Sequence, residues 1–328
     1  SHAVMAVRTS INSVYQERLT ILVVHGRDFK PGVDDYAAIT FEAMRAGLAR
    51  DYPDSLVAFD VIERDIAWYG DLTNDYLERQ GLHYDAALDI GDRHNALAAL
   101  QEINARKRFG IRDYDRVAGK TALKELVADI VAPLGRGLGF GMWLIRRTSK
   151  DFAAYLDGSE TYADAARERV RDKIRSCLDR GDCLMLITHG TGSAIAWDAL
   201  WELSHDPSYA AACEGKKVDQ WVTMGSPLAN ANVQRRLFGS DRKDGDRYPT
   251  NVISWQNLSA EDDYTCHDKS VSDDYSYMLK HRLVSQINDF RIFNLAVRYG
   301  RSNPHSSVGY FIHPRLSKLI ADWIAEKL

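Results

Sequence analysis

The sequence has little net charge, few cysteines and no stretch that qualifies clearly as a membrane span. Its 42 Lys and Arg residues stand against 46 Asp and Glu residues, so the formal net charge is −4 and nothing favours attraction to nucleic acid. Otherwise the composition is that of an ordinary globular protein, with 45% hydrophobic and 27% charged residues. These absences argue against a nucleic-acid-binding protein and against an integral membrane protein.

Disulfide, metal and export signals are also missing. Cys177, Cys183, Cys213 and Cys266 stand far apart without metal-ligand spacing, and we expect free thiols in a reducing compartment. No cluster of possible ligands has the spacing of a metal site, so neither a metal nor an organic cofactor is expected. The start of the chain, SHAVM, lacks the charged-then-apolar order of a signal peptide, and the four residues before Met5 are interpreted as a tag remnant. The expected location is cytoplasmic.

Short apolar runs alternate with helical patterns along the chain. The run at 19–26 is rich in β-branched residues and ends in a His-Gly turn, which is typical of a buried parallel strand. The alternation predicts an α/β fold, in which a mainly parallel sheet is flanked by helices and the whole chain, 1–328, forms one domain. Further strands are predicted at 55–62, 183–188, 218–228 and 251–258, and helices at 34–50, 84–107, 161–180 and 191–204 and from residue 314 onward.

One segment, at approximately 110–158, does not follow this alternation. Its centre at 125–145 is apolar and contains alternating glycines, without the strand-to-helix context that a phosphate-binding loop requires. We expect an inserted lid or cap segment over an apolar pocket, and membrane contact is a further interpretation. A packed, flexible insertion without either function is the alternative.

The stretch CLMLITHGTGSAIAWDALWEL (183–203) predicts a strand, a sharp turn and a helix. A catalytic serine in acyl transfer is held on such a turn, with small residues two positions before and two after it. Here the residue at the tip is Gly190, and the flanking positions hold Thr188 and Gly192. Gly192 fits the steric demand and Thr188 is tolerable. Glycine suits a strained backbone but provides no nucleophile.

Two neighbours of the tip carry hydroxyl groups and are alternative nucleophiles. Ser193 would sit one turn into the helix and would place Ile195 where a small residue is needed. Thr191 would direct its side chain away from the tip. Both fit the turn less well than a residue at position 190 does.

The chemistry also needs a histidine that accepts the proton of the nucleophile and a carboxylate that orients this histidine. The stretch NLSAEDDYTCHD (257–268) follows the last predicted strand and contains Asp263, our candidate acid, with Asp262 as the second choice. A solvated acidic loop is the alternative. His305 lies on a loop before the last helix and is followed by small residues, so it is the candidate base, although a loop histidine without a role fits the same pattern. His313 has the position of a helix cap.

Backbone N–H groups must face the oxyanion that develops in acyl transfer. The turn after the first strand, VVHGRDFKP (23–31), exposes such groups. The N–H groups of Arg27 and Thr191 are the candidate oxyanion hole. We interpret His25 as a residue that braces this turn rather than as a catalyst, and the side chains of Arg27 and Asp28 as a possible ion pair.

Four short motifs accompany these parts, namely HGR (25–27), DFAAYL (151–156), GSPL (225–228) and HSSVGYF (305–311). With these parts and motifs in this order, the sequence from about Leu19 to Leu328 resembles the α/β-hydrolase superfamily, and within it bacterial lipase-like and esterase-like members. The resemblance implies a serine hydrolase of small-molecule or lipid carboxylic esters, with a serine expected where Gly190 stands. The glycine is interpreted as an engineered replacement of that serine, and a natural pseudoenzyme that binds or regulates without cleaving is the alternative. A lipid-directed enzyme that docks on membranes through 125–145 is a third hypothesis.

Overall fold

The structure is a computed structural model that describes residues 18–106, 142, 145–158, 160–260, 263, 270–298, 301–303 and 305–327. The strands are β1 (Leu19–Val24), β2 (Glu63–Ala67), β3 (Cys183–His189), β4 (Val218–Met224), β5 (Val252–Ala260), β6 (Gln286–Ile292), β7 (Val297–Arg298) and β8 (Arg301–Ser302). The helices are α1 (Val33–Asp51), α2 (Leu56–Val61), α3 (Gly70–Arg79), α4 (Ala86–Arg106), α5 (Lys150–Leu156), α6 (Glu160–Asp179), α7 (Gly192–His205), α8 (Ala231–Gln234), α9 (Ser276–Lys280), α10 (Ser307–Phe311) and α11 (Pro314–Lys327), with 3₁₀ turns at Pro53–Ser55 and Asp244–Arg247.

Six strands form one sheet in the order β2-β1-β3-β4-β5-β6, and every neighbouring pair is parallel. The predicted parallel sheet flanked by helices is therefore confirmed. The chain leaves β1 towards β2 on one side and later returns to place β3 on the other side of β1. Connections that diverge in this way open a crevice at the carboxyl ends of the two strands, where ligands bind in open α/β sheets. The turn after β1 and the turn after β3 meet at this crevice.

The alternation of side chains along each strand divides the core into two layers. In β1, Ile21 and Val23 belong to the layer that contains α1, α2, α4, α10 and α11, whereas Leu22 and Val24 belong to the layer that contains α6 and α7. The buried stripe of α6 repeats every three or four residues, as predicted, and it consists of Ala166, Val170, Ile174 and Cys177. A sheet covered on both faces needs such apolar strands.

The predicted strand at 55–62 is wrong. Pro53 begins a 3₁₀ turn that continues into helix α2, in which Ala58 and Phe59 are buried while Val57 is 50% exposed. Burial at 58, 59 and 62 has the spacing of a helix, although a short apolar run fits a strand equally well. The strand comes next, as β2, at the edge of the sheet, where charged residues face solvent.

The predicted insertion at approximately 110–158 falls mostly outside the described residues, which resume at 142 and 145. Its described end contains α5, whose Phe152, Ala154 and Tyr155 pack into the same layer as α6 and α7. Among the described residues, no helix is long and apolar enough to cross a membrane.

Candidate active site

Gly190 lies at the tip of the turn between β3 and α7. Its backbone is left-handed, with φ at +56°, and its N–H donates to the carbonyl of Met224. Two residues later the helix crosses the turn after β1 so closely that a Cβ on Gly192 would overlap the carbonyl oxygen of His25. The start of α7 therefore lies against the turn after β1, and glycine is required at position 192.

The residue two positions before the tip is held by side-chain hydrogen bonds beneath the turn. The hydroxyls of Thr188 and Ser193 lie 2.8 Å apart, and the indole N–H of Trp221 donates to Thr188 Oγ1 over 3.1 Å. Ser193 is fully buried and its hydroxyl is directed into this cluster, which argues against its alternative role as a nucleophile. Thr191 occupies the cap position of α7, so its own N–H lies at the helix end where amide groups lack intrahelical partners.

Asp263 and His305, separated by 42 positions in the chain, form a hydrogen-bonded pair. The Nδ1 of His305 lies 2.7 Å from Oδ2 of Asp263. The carboxylate side chain is fully buried, whereas the imidazole is 15% exposed. A carboxylate on Nδ1 fixes the ring so that Nε2 points away from the acid, as a general base requires. The second choice, Asp262, lies outside the described residues.

Tyr310 and Gly225 complete the surroundings of this pair, and neither was predicted as a site residue from the sequence. The hydroxyl of Tyr310 accepts from the N–H of Ala260 and donates to Oδ2 of Asp263 over 2.9 Å. Gly225, with φ at +60°, lies so close that a Cβ there would be 2.9 Å from Asp263 Oδ2. Gly225 belongs to the GSPL motif and Tyr310 to the HSSVGYF motif, so both motifs lie against the acid. Their place in these motifs is the sequence signal that could have identified both residues.

The Nε2 side of the His305 imidazole faces the tip of the turn. A Cβ built on Gly190 would lie 2.9 Å from Nε2 of His305 and 3.1 Å from its Cε1. A side chain at position 190 would thus begin in direct contact with the ring nitrogen opposite the acid. The three positions that the sequence placed in one chemical constellation therefore lie together in space.

The turn after β1 lies on the other side of the tip. The Cα of Gly26 is 3.9 Å from the same Cβ position on Gly190. The carbonyl of Gly26 accepts from Nδ1–H of His25 over 3.0 Å, and the hydroxyl of Tyr69 lies 3.5 Å away. Because the O and H atoms of a trans peptide point in opposite directions, the N–H of Arg27 is directed away from His25 and Tyr69.

His25 braces this turn from the core, as predicted. Its ring stacks on Tyr69 at 3.8 Å, and its Nε2 accepts from the backbone N–H of Tyr69. Burial, reinforced by the charge of Lys30, holds the pKa of His25 well below its ordinary value, so the ring stays neutral. The predicted ion pair of Arg27 and Asp28 is present, with 3.8 Å between Nε and Oδ2.

The far side of the same turn is held by Asp151 and Lys30. The N–H of Asp28 donates to Oδ2 of Asp151 over 3.0 Å, and Nζ of Lys30 donates to the carbonyls of Arg27 and Asp28. Burial, followed by repulsion from Arg93, lowers the pKa of Lys30 to about 8. Asp151 belongs to the DFAAYL motif, so this motif anchors the turn that carries the candidate oxyanion donor.

Away from the candidate site, the described residues offer no metal site but do form a surface depression. Within the described residues, no group of three or more His, Cys, Asp or Glu side chains is arranged to hold a metal ion. A surface depression of about 510 Å³, lined in part by Cys213, Lys216 and Asn251, lies at the amino ends of β4 and β5. This is the edge of the sheet opposite Gly190.

Comparisons of the chain with protein-family models, with curated proteins and with solved structures find no match.

Proposed function

We propose that the chain is the scaffold of a serine hydrolase of carboxylic esters, of the α/β-hydrolase type, with glycine at the nucleophile position. One relationship supports this most strongly. His305 is bound to Asp263 through Nδ1, while its Nε2 lies 2.9 Å from the start of any side chain at Gly190. The left-handed backbone at Gly190, between a parallel strand and a helix, is the conformation in which such folds hold the nucleophile.

In the parent enzyme, the hydroxyl of a serine at position 190 attacks the ester carbonyl, and Nε2 of His305 accepts its proton. Asp263 stabilises the imidazolium that forms, and the N–H groups of Arg27 and Thr191 donate to the oxyanion. The acyl-enzyme forms as the protonated His305 donates a proton to the departing alcohol. Water, deprotonated by the same nitrogen, then releases the acid. The substrate class is a small-molecule or lipid ester.

A natural pseudoenzyme is the second candidate. It is favoured by the φ of +56° at Gly190, a conformation that glycine adopts without strain and serine adopts at a cost. In this case the chain retains the binding crevice and the oxyanion donors and binds its ligand without cleaving it.

Labelling by a fluorophosphonate probe tests the proposal. We compare the chain with its Gly190→Ser and Gly190→Ala variants and with the double variant Gly190→Ser/His305→Ala. The expected result is covalent labelling and p-nitrophenyl ester hydrolysis in Gly190→Ser alone. The alanine variant controls for the side chain at position 190 without a hydroxyl.

Absence of labelling in folded Gly190→Ser would overturn the hydrolase proposal and favour the binding protein. Labelling of the unaltered chain would place the nucleophile elsewhere. Unchanged activity in the double variant would show that His305 is not the base.

A further inference from the structure

His189, the residue directly before the tip of the turn, lies against both the turn after β1 and the loop that carries His305. As the last residue of β3 it is 6% exposed. Its Nε2 lies 3.0 Å from the backbone carbonyl of His305, and the two imidazole rings are 4.6 Å apart. On its other side, a Cβ on Gly26 would lie 3.3 Å from Nδ1 of His189. The ring is thus enclosed between the turn after β1 and the loop that carries His305.

We propose that His189 is a positioning residue, whose Nε2–H holds the backbone of His305 and thereby aims the Nε2 atom of His305 at position 190. This role rests on the function proposed above. The segment around His305 is irregular, and Asn303 bonds to Ala296 while Ser306 caps the short helix α10. His189 links this segment directly to β3, the strand that carries the nucleophile position.

The hydrogen bond defines the tautomer of His189. A carbonyl oxygen only accepts, so Nε2 must carry the proton. Burial in the core, followed by the charges of His305, Lys30 and Arg93, holds the pKa of His189 well below its ordinary value. The ring therefore stays neutral with the proton on Nε2, and a second positive charge does not arise beside His305 when His305 takes up its proton.

Since the role of His189 is to donate Nε2–H to the carbonyl of His305, a side chain with an amide N–H should replace it, whereas a hydrocarbon side chain should not. Glutamine carries an N–H at a similar reach, whereas phenylalanine fills the space without a donor. In the Gly190→Ser background we expect His189→Phe to lower kcat by about 10- to 100-fold, with KM changed by less than about twofold, because small misplacement of a catalytic group affects the chemical step. We expect His189→Gln to recover most of this loss.

His205 provides a matched control at the far end of α7. Its Nε2 also bonds to a backbone carbonyl, that of Tyr248, over 2.6 Å, but it lies remote from the site. His205→Phe therefore removes the same kind of bond and is expected to leave kcat unchanged. Equal loss in the phenylalanine variants of both histidines would show a general effect on stability and would overturn the proposal. Equal loss in His189→Phe and His189→Gln would overturn it as well.

A second measurement does not depend on activity and uses the unaltered chain. Nitrogen-15 NMR of the imidazole rings, assigned with His189→Gln, is expected to show His189 as the neutral Nε2–H tautomer at the pH at which an ordinary histidine is half protonated, about 6.5. An Nδ1–H tautomer, or a ring that titrates near pH 6.5, would overturn the proposal even if Gly190→Ser is active. Conversely, an inactive Gly190→Ser with the expected tautomer would refute the hydrolase function while leaving the contact between His189 and His305 in place.

Discussion

The Nε2 atom of His305 lies 2.9 Å from the point at which a side chain on Gly190 would begin. Such a contact is shorter than real Cβ atoms make, so the imidazole must retreat by a few tenths of an ångström when any side chain is introduced at position 190. His305 is bound to a buried acid but is itself 15% exposed, so its ring has room for this adjustment. Position 190, where the nucleophile is missing, therefore lies directly beside the candidate base, His305.

A side chain at position 190 is expected to cost stability even where it restores activity. The φ of +56° is left-handed, and such a conformation costs an L-residue roughly 1–2 kcal/mol. Urea unfolding of Gly190→Ser and Gly190→Ala should therefore give free energies of unfolding lower than that of the unaltered chain by about this amount. Serine should be the less destabilising of the two, because its hydroxyl can bond to His305. Three equal stabilities would contradict the left-handed assignment.

Asp263 is expected to act through the tautomer of His305. In the Gly190→Ser background, Asp263→Asn retains the shape of the side chain but favours the wrong tautomer of the imidazole. We expect kcat to fall on the order of 10³- to 10⁴-fold with little change in KM. Asp241→Asn, at a position that is 85% exposed, provides the control and should not alter kcat. Steady-state kinetics on a p-nitrophenyl ester measures kcat for both variants. A fall in kcat of less than tenfold in Asp263→Asn would show that another residue is the acid.

Alanine is expected to have opposite effects at two helical glycines, because Gly192 lies against the turn after β1 and Gly91 has open space around it. Gly192→Ala places a methyl group against the carbonyl of His25, and we expect a loss of about 1–3 kcal/mol, typical of overpacking. Gly91 in α4 has open space around it, so Gly91→Ala should gain about 0.5–1 kcal/mol through helix propensity. Urea unfolding measures both. A stabilising Gly192→Ala would show that the turns lie further apart than the structure has them.

Asp198 is expected to make stability depend on pH. It is fully buried in α7, where its carboxylate accepts from Tyr155 and from the N–H of Phe238, and burial raises its pKa from 3.8 to about 7. Between these two pH values the folded state binds more protons than the unfolded state, so the contribution of Asp198 is complete below about pH 4 and is lost as the pH rises to about 7.

The size of this effect is at most about 4 kcal/mol, since each pKa unit corresponds to about 1.4 kcal/mol. The neighbouring charge of Arg167 lowers the pKa of Asp198, whereas that of Glu202 raises it. Urea midpoints at pH 4.5 and 7.5 measure it, with Asp198→Asn as the control whose stability should change less between the two values. Parallel pH dependence in both chains would assign the effect to other groups.

Where the sequence predicted the fold well, local pattern and burial coincide. The apolar runs of β1 and β3 occupy the interior of the sheet, where strands buried on both faces are mostly apolar. The two edge strands were missed because an edge tolerates charge: Glu63–Ala67 and Gln286–Ile292 each carry acidic and basic residues. Residues 55–62 were misassigned because a short apolar run does not by itself distinguish strand from helix.

The sequence by itself determined the type of each central element and the order in which Gly190, Asp263 and His305 follow one another, because both depend on residue types at short spacing. Only the tertiary structure decided that these three positions meet, and that His189, Gly225 and Tyr310 surround them. These contacts join segments far apart in the chain across the carboxyl edge of the sheet. Their distances depend on strand order and on the close crossing at Gly192, and no local pattern specifies either.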